Sequence, residues 1–576
     1  MTGETGTIRK RWKGRFPVAL IYPNTYPLAV SNLGFQLVYT LLNECDSVVC
    51  ERFVYPRSPG PLRSLESGRP LADFPLVLGS ISFEHDFFRL AGMLAAGGIG
   101  PCVADRPQRI GPGAPLVVLG GVAVFMNPEP LAPFADLMVI GEAEPVLAGL
   151  VRDLAAMVTA MARPDIHREL AGRPGCYVPQ LYRFTFSDTG VVTAIDHPPG
   201  VPARVEKVVL ARTRVAAHSM QLSPEAELGM YMTELGRGCS RGCRFCAAGY
   251  IYRPPRLWSG DAILAALARR PDRVDRVGLL GMEMAESATL DRIAAYLQEN
   301  NCSLSFSSLR ADRISDRLLS LLAASNLKSV AIAPDGCSER LRRVINKGLT
   351  ERDLLDAALA LAEAGIVHLK LYVMLGLPTE TEQDLDELIG LVHSLRALIL
   401  PVGRARGRVT AITLSVNSFV PKPWTPFQYV SYGGLEAGAA MADRDCSRSL
   451  LALKEKIRYL RRGLKQVANL RIRVDRPERV LQQAVFSRGD RRLAPVLLAM
   501  GAGRSFRRAM REHALDSWQY AVRPRQRDER MCWEILDHGI RPGYLWQEYQ
   551  KAMQEKKTTP CDTARCRRCG VCDADA

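Results

Sequence analysis

Three observations predict an α/β protein built as two successive sheet domains followed by a helical region. Short apolar runs alternate with helical stretches from Phe16 to about Arg152, the pattern of a parallel, doubly wound, Rossmann-like sheet. A second alternating series opens at MYMTEL and passes through six strand-like segments to AITLSVNSFVPKP, as in a partial or full TIM-like barrel. Beyond Tyr432 the chain turns helical and basic. The expected boundaries are 1–157 for the doubly wound domain, 158–229 for a connector, 230–432 for the barrel, 433–558 for the basic helical region and 559–576 for a Cys-rich tail.

Bulk properties narrow the class. A chain of 576 residues, 47% hydrophobic and 24% charged, has room for several cores. The basic N-terminus lacks an apolar signal region, and no uninterrupted apolar run approaches the ~18 residues of a membrane span. A cytoplasmic protein without a membrane partner is expected. In a reducing compartment fifteen cysteines argue for metal or cluster ligation over disulfides. Seven fall in two groups, 239–246 and 561–572.

In the first domain, the loops after successive strands carry Asn24 and Thr25, Ser80 and Ser82, Gly120 and Gly121, and Gly141 and Glu142. Open α/β sheets bind ligands beyond their strand C-terminal ends. Small residues there let a flat or bulky ligand approach the backbone, although one such loop alone would be ordinary turn chemistry.

The second series places GRGCSRGCRFCAAGYIYR after its first strand, so that Cys239, Cys243 and Cys246 lie where barrel chemistry is housed. Three thiolates at C-x3-C-x2-C are one short of a closed tetrahedral zinc site. They can instead ligate three irons of a cubane, with the fourth iron open. Within the same series LTERDLLDAALALAEAGI is a clear helix: Thr350 and Asp353 make a near capping box, and Gly365 suits its end.

The loop resembles that of the radical S-adenosylmethionine (SAM) superfamily, in which the open iron chelates SAM and a reduced 4Fe-4S cluster cleaves it to methionine and a 5′-deoxyadenosyl radical. The resemblance extends to Phe245 beside the last cysteine and to Gly281-Met282-Glu283, similar to a Gly-Gly-Glu segment but lacking its middle glycine. It includes Ser308 and Arg310 in SSLRAD, Asp335 in IAPDG, and Gly376 and Pro378 in GLPTETEQDL. It implies SAM contacts for all of these. SERLRRVINKGLTE, LKLYVMLGLPTETEQD and FVPKPWTPFQ further resemble an uncharacterised bacterial radical SAM family with an N-terminal cobalamin-binding-like domain and a Cys-rich C-terminal tail. That likeness implies cobalamin near Asn24, Ser80, Gly120, Gly121, Gly141 and Glu142, and methyl transfer to an unactivated carbon. The histidine motif D-x-H-x-x-G of one class of cobalamin domain is missing: DIHREL has Leu170 where glycine belongs, and His85 has no aspartate two residues before it. That absence is compatible with a corrin bound without protein histidine and equally with a domain that has lost it. Without cobalamin, sulfur insertion, methylthiolation or rearrangement become equal candidates.

The tail cysteines, Cys561, Cys566, Cys569 and Cys572, can hold a second iron–sulfur cluster or a zinc ion. Between Arg448 and Arg530 there are 22 Lys plus Arg against 8 Asp plus Glu. Such a surplus suits an anionic substrate or RNA, an acidic flavodoxin or ferredoxin donor, or plain solvated helix faces. An iron–sulfur protein that binds RNA or senses redox state is the alternative of a different class.

Overall fold

The computed structural model describes all residues except 1–2, 58–59, 307, 326, 443 and 573–576. The first sheet takes strands β1 (Phe16–Tyr22), β2 (Val48–Val54), β3 (Leu76–Ser80), β4 (Leu116–Gly120), β5 (Leu137–Val139) and β6 (Cys176–Tyr177). Their order is β2-β1-β3-β4-β5-β6, parallel throughout except for β6. The order reverses between β1 and β3, which makes a switch point where a crevice opens at the strand C-terminal ends. The strands are apolar and buried almost throughout, because helices such as Leu33–Glu44, Phe87–Ala96 and Leu147–Ala160 cover both faces. The segment expected to begin a connector at 158 instead donates helix Arg163–Leu170 and β6 to this sheet.

The partial barrel that follows is made of parallel strands laid down in chain order, in a three-stranded and a five-stranded sheet. They are β7 (Tyr231–Glu234), β8 (Arg276–Leu280), β9 (Ser303–Phe306), β10 (Ser308–Leu309), β11 (Ser329–Asp335), β12 (His368–Leu375), β13 (Ala411–Ser418) and β14 (Leu470–Val474). β7 to β9 pair in the first of these sheets and β10 to β14 in the second. Along β12 and β13 every second residue is buried, as a barrel wall requires. β14 lies beyond the expected barrel end at 432, inside the region read as helical. Its alternating Arg471 and Arg473 point outward and disguise a strand as part of a basic run.

Helix Glu382–Ala405 is long and apolar enough, by length and composition, to cross a membrane. Its Leu385, Leu388, Val392 and Leu395 are buried in the core shared with the barrel strands.

Part of the basic surplus serves packing. Arg491 reaches Glu129 of the first domain at 2.8 Å, and Arg488 is buried against the carbonyls of Val430 and Arg523. Glu529 receives Arg523 at 2.5 Å and Arg525 at 2.7 Å. Burial alone would raise the Glu529 carboxyl, but these hydrogen bonds and charges overcome it and bring it from 4.5 down to about 2. Its stabilising contribution is therefore complete above about pH 4.5 and is lost as pH falls towards 2. Glu529→Gln is expected to cost about 3 kcal/mol at pH 7, with the gap to wild type closing between those two values. Urea unfolding across that range measures it.

Candidate functional site

The cysteine loop leaves β7 and is held at both ends. At its start Arg237 meets Glu144 at 2.7 Å, Glu142 at 3.2 Å and Glu234 at 3.1 Å, while Arg256 meets Glu142 at 2.7 Å. Two arginines of the barrel loop are thus tied to two carboxylates in the loop after β5, which fixes the first domain against the barrel. The four charges are all largely buried, so losing one partner leaves the others uncompensated.

At its far side, Arg244 is fully buried and donates to the carbonyls of Val344 (2.9 Å) and Lys556 (2.7 Å), with Glu548 at 3.4 Å. Asn346 donates to the carbonyls of Arg241 and Gly242, both at 3.2 Å, and to that of Thr558 at 3.1 Å; it accepts from the Thr558 amide at 2.9 Å. One amide side chain therefore holds loop and tail together. Asn346→Ala is expected to weaken iron retention by the loop about tenfold, as loss of supporting contacts to a metal site does. Iron remaining after timed exposure to a chelator is the readout.

The three thiols interact with one another electrostatically and face an ion pair, Lys347 to Asp335 at 2.6 Å. Burial pushes the Cys243 thiol up to about 12 and also raises Cys239 and Cys246. Metal binding must then release these protons. Among the described residues no three Cys, His, Asp or Glu side chains converge at the spacing of one bound ion. A tetrahedral zinc site would bring thiolate sulfurs within about 4 Å of each other. A cubane seats each thiolate on a different iron and needs wider spacing. The donor set, three thiols in one loop, fits a cluster with an open position.

Beside the loop, a 510 Å³ cleft opens at the C-terminal ends of β8 and β10, lined among others by Gly281, Glu283, Ser308 and Arg310. Glu283 accepts from the Ser240 amide at 3.0 Å and from its hydroxyl at 2.5 Å, joining the cleft to the cysteine loop. Arg310 pairs with Asp312 at 2.8 Å and donates to the Lys347 carbonyl at 2.8 Å. Asp335 stands on the ion pair next to the cysteines. Phe245 packs against the core, and the Gly376 amide donates to Glu380 at 3.0 Å. Neither Phe245, Asp335, Gly376 nor Pro378 lines the cleft.

A second cavity, of 530 Å³, lies between the strand C-terminal ends of the first sheet and the barrel. Its walls include Leu20, Leu78, Val118 and Phe125, with Asn32, Ser80 and Ser82 among the polar residues and the Arg237 ion pairs to Glu142, Glu144 and Glu234 at one side. Gly281 and Met282 line both cavities. Asn24 does not line this slot; its side chain donates to Asp86 at 3.0 Å.

Gly121 and Gly141 border the slot, but their size answers to the backbone. Both have positive φ (102° and 118°), and a Cβ would lie 2.5 Å from the Ile81 carbonyl oxygen and 2.1 Å from that of Val208. Glu142 is engaged by Arg237 and Arg256. Gly120 differs: a Cβ there would meet nothing closer than 3.7 Å, so neither backbone nor neighbour demands a glycine. The histidine of DIHREL is accounted for elsewhere, since His167 Nε2 lies 3.0 Å from buried Asp136, which also binds Arg106 and Arg163.

Arg237, Arg256, Glu144, Asn346 and Lys347 were not singled out by sequence. Only Arg237, two residues before Cys239, carried a local signal.

These features coincide with a known class. Residues 233–392 match the radical SAM superfamily, and residues 34–179 match the N-terminal region of radical SAM proteins. The chain is a radical SAM enzyme, which implies a 4Fe-4S cluster and SAM; the matches do not specify its reaction. Over 486 residues it is 27% identical to an uncharacterized protein of Methanocaldococcus jannaschii, covering 83% of this chain and 90% of that one. Its fold is similar to that of the radical SAM methyltransferase TsrM from Kitasatospora setae, solved with cobalamin and a [4Fe-4S] cluster bound. There the TM-score is 0.51 at 16% identity, covering 87% of this chain and 99% of that one. The cobalamin-dependent SAM radical enzyme OxsB, solved with aqua-cobalamin and SAM, aligns at 13% identity and a TM-score of 0.44, covering 94% and 80% of the two chains.

Proposed function

We propose that the chain is a cobalamin-dependent radical SAM methyltransferase acting on an unactivated carbon, in the cytoplasm. The observation that carries this reading is the apolar slot at the C-terminal ends of β1, β3, β4 and β5, which shares Gly281 and Met282 with the SAM cleft. Two adjoining cavities suit two cofactors that act on one substrate. Leu20, Leu78 and Val118 would exclude water from a large flat ligand, while Ser80, Ser82 and Asn32 offer neutral polar contacts, and the charged residues of the lining, Arg237 with Glu142, Glu144 and Glu234, are paired with one another. No described histidine lines the slot.

The residues have separable tasks. Cys239, Cys243 and Cys246 hold the cluster. Glu283 and Ser240 fix the cleft against it, and Arg310 offers a cation at the cleft wall for a carboxylate. Cobalamin, when bound, would supply the methyl group. The test is binding itself: full-length protein incubated with hydroxocobalamin and desalted is expected to retain about one corrin per chain by its visible spectrum. A spectrum without corrin bands would remove cobalamin from the account and leave the radical chemistry in place.

A further inference from the structure

The tail closes directly on the catalytic cysteine loop. The Cys561 amide donates to the Ser240 carbonyl at 2.7 Å, one residue from Cys239. Arg244 and Asn346 bind the carbonyls of Lys556 and Thr558 just before it. The tail then folds back on itself. Arg568 donates to the carbonyls of Thr559 (2.6 Å) and Pro560 (3.0 Å), and the Arg541 amide donates to that of Cys569 at 2.7 Å.

This gathers four thiols in one place. Cys561 interacts electrostatically with Cys566 and Cys572, Cys572 interacts with Cys569 and Cys566, and Cys569 is buried. Cations surround them: Arg568 Nε lies 3.2 Å from the Cys566 sulfur, and Arg253 and Lys207 act on Cys561 and Cys569. Four thiolates around a cluster carry net negative charge, which these cations offset.

We propose that Cys561, Cys566, Cys569 and Cys572 hold a second, fully ligated iron–sulfur cluster through which electrons enter the enzyme. The route from Cys561 to Cys239 consists of covalent bonds and the single hydrogen bond at Ser240. From residue 556 to 572 the tail carries Lys556, Lys557, Arg565, Arg567 and Arg568 against one acid, Asp562. These are surface residues. Their charge matches an acidic one-electron donor of the flavodoxin or ferredoxin class. The donor loses one electron to the tail cluster, which passes it to the cluster at Cys239, Cys243 and Cys246. That electron breaks the sulfonium–C5′ bond of SAM, giving methionine and the deoxyadenosyl radical. The proposal rests on the radical SAM assignment and not on cobalamin or methyl transfer.

The test compares wild type with Cys566→Ser/Cys572→Ser, which spares buried Cys569, both reconstituted anaerobically as full chains. Wild type is expected to hold about eight irons and the variant about four, without bound zinc in either. The reduced wild type should show two paramagnetic signals, of which the variant keeps the one that SAM perturbs. The ratio of flavodoxin-driven to dithionite-driven SAM cleavage should fall about tenfold in the variant. Raising salt to 0.5 M should lower it in wild type, since surface attraction is screened. About four irons with one zinc in wild type would overturn the cluster. An unchanged ratio in a variant that has lost the tail iron would overturn the relay. Unaltered melting of the variant, with its first cluster present, separates either result from misfolding.

Discussion

Replacing Cys239, Cys243 and Cys246 together by alanine is expected to remove about four irons per chain and the SAM-responsive paramagnetic signal, leaving no detectable deoxyadenosine. The effect is total because the loop supplies every protein ligand and nothing nearby can substitute: the adjacent acid, Asp335, is bound to Lys347, and Glu283 is bound to Ser240. Iron at the tail cysteines should survive, since their fold rests on hydrogen bonds to backbone carbonyls from the Arg568 guanidinium and from the Arg541 and Cys561 amides. Loss of all iron would mean that the two sites assemble as one.

The second large effect concerns the slot. Gly120→Phe is expected to cut corrin retention from about one per chain to under about a tenth, because the ring would fill space that a ligand needs. A Cβ at this position would make only ordinary contact with Val139, at 3.7 Å, so the substitution does not force the backbone to move. Gly121→Ala would be a poor probe. It would collide with Ile81 and unsettle the sheet whether or not a ligand binds. Corrin absorbance of the desalted variant, with its melting temperature as control, reads the result. Full corrin retention would place cobalamin outside the slot.

Legibility in the sequence followed the range of the interactions. The cysteine loop was visible because its meaning is a spacing within eight residues. The barrel strands were visible because alternation is local, until Arg471 and Arg473 masked β14. The capping box of Thr350 with Asp353 forms as read. What holds the site together was not visible. Arg237 and Glu144 are 93 residues apart, Arg256 and Glu142 are 114 apart, and Asn346 and Thr558 are 212 apart. No local pattern announces such pairs. The glycines after β4 and β5 were read as room for a ligand, but at Gly121 and Gly141 the group that approaches is the protein's own backbone.

The central claim is an open cluster at Cys239, Cys243 and Cys246 that cleaves SAM reductively. Its most direct test is to give the reconstituted, iron-replete full chain SAM with and without dithionite, and to measure deoxyadenosine and methionine alongside the paramagnetic spectrum. The account predicts the two products in about equal amounts only with reductant, and a cluster signal that shifts when SAM is added. Iron-replete protein whose signal ignores SAM and which yields neither product would contradict it.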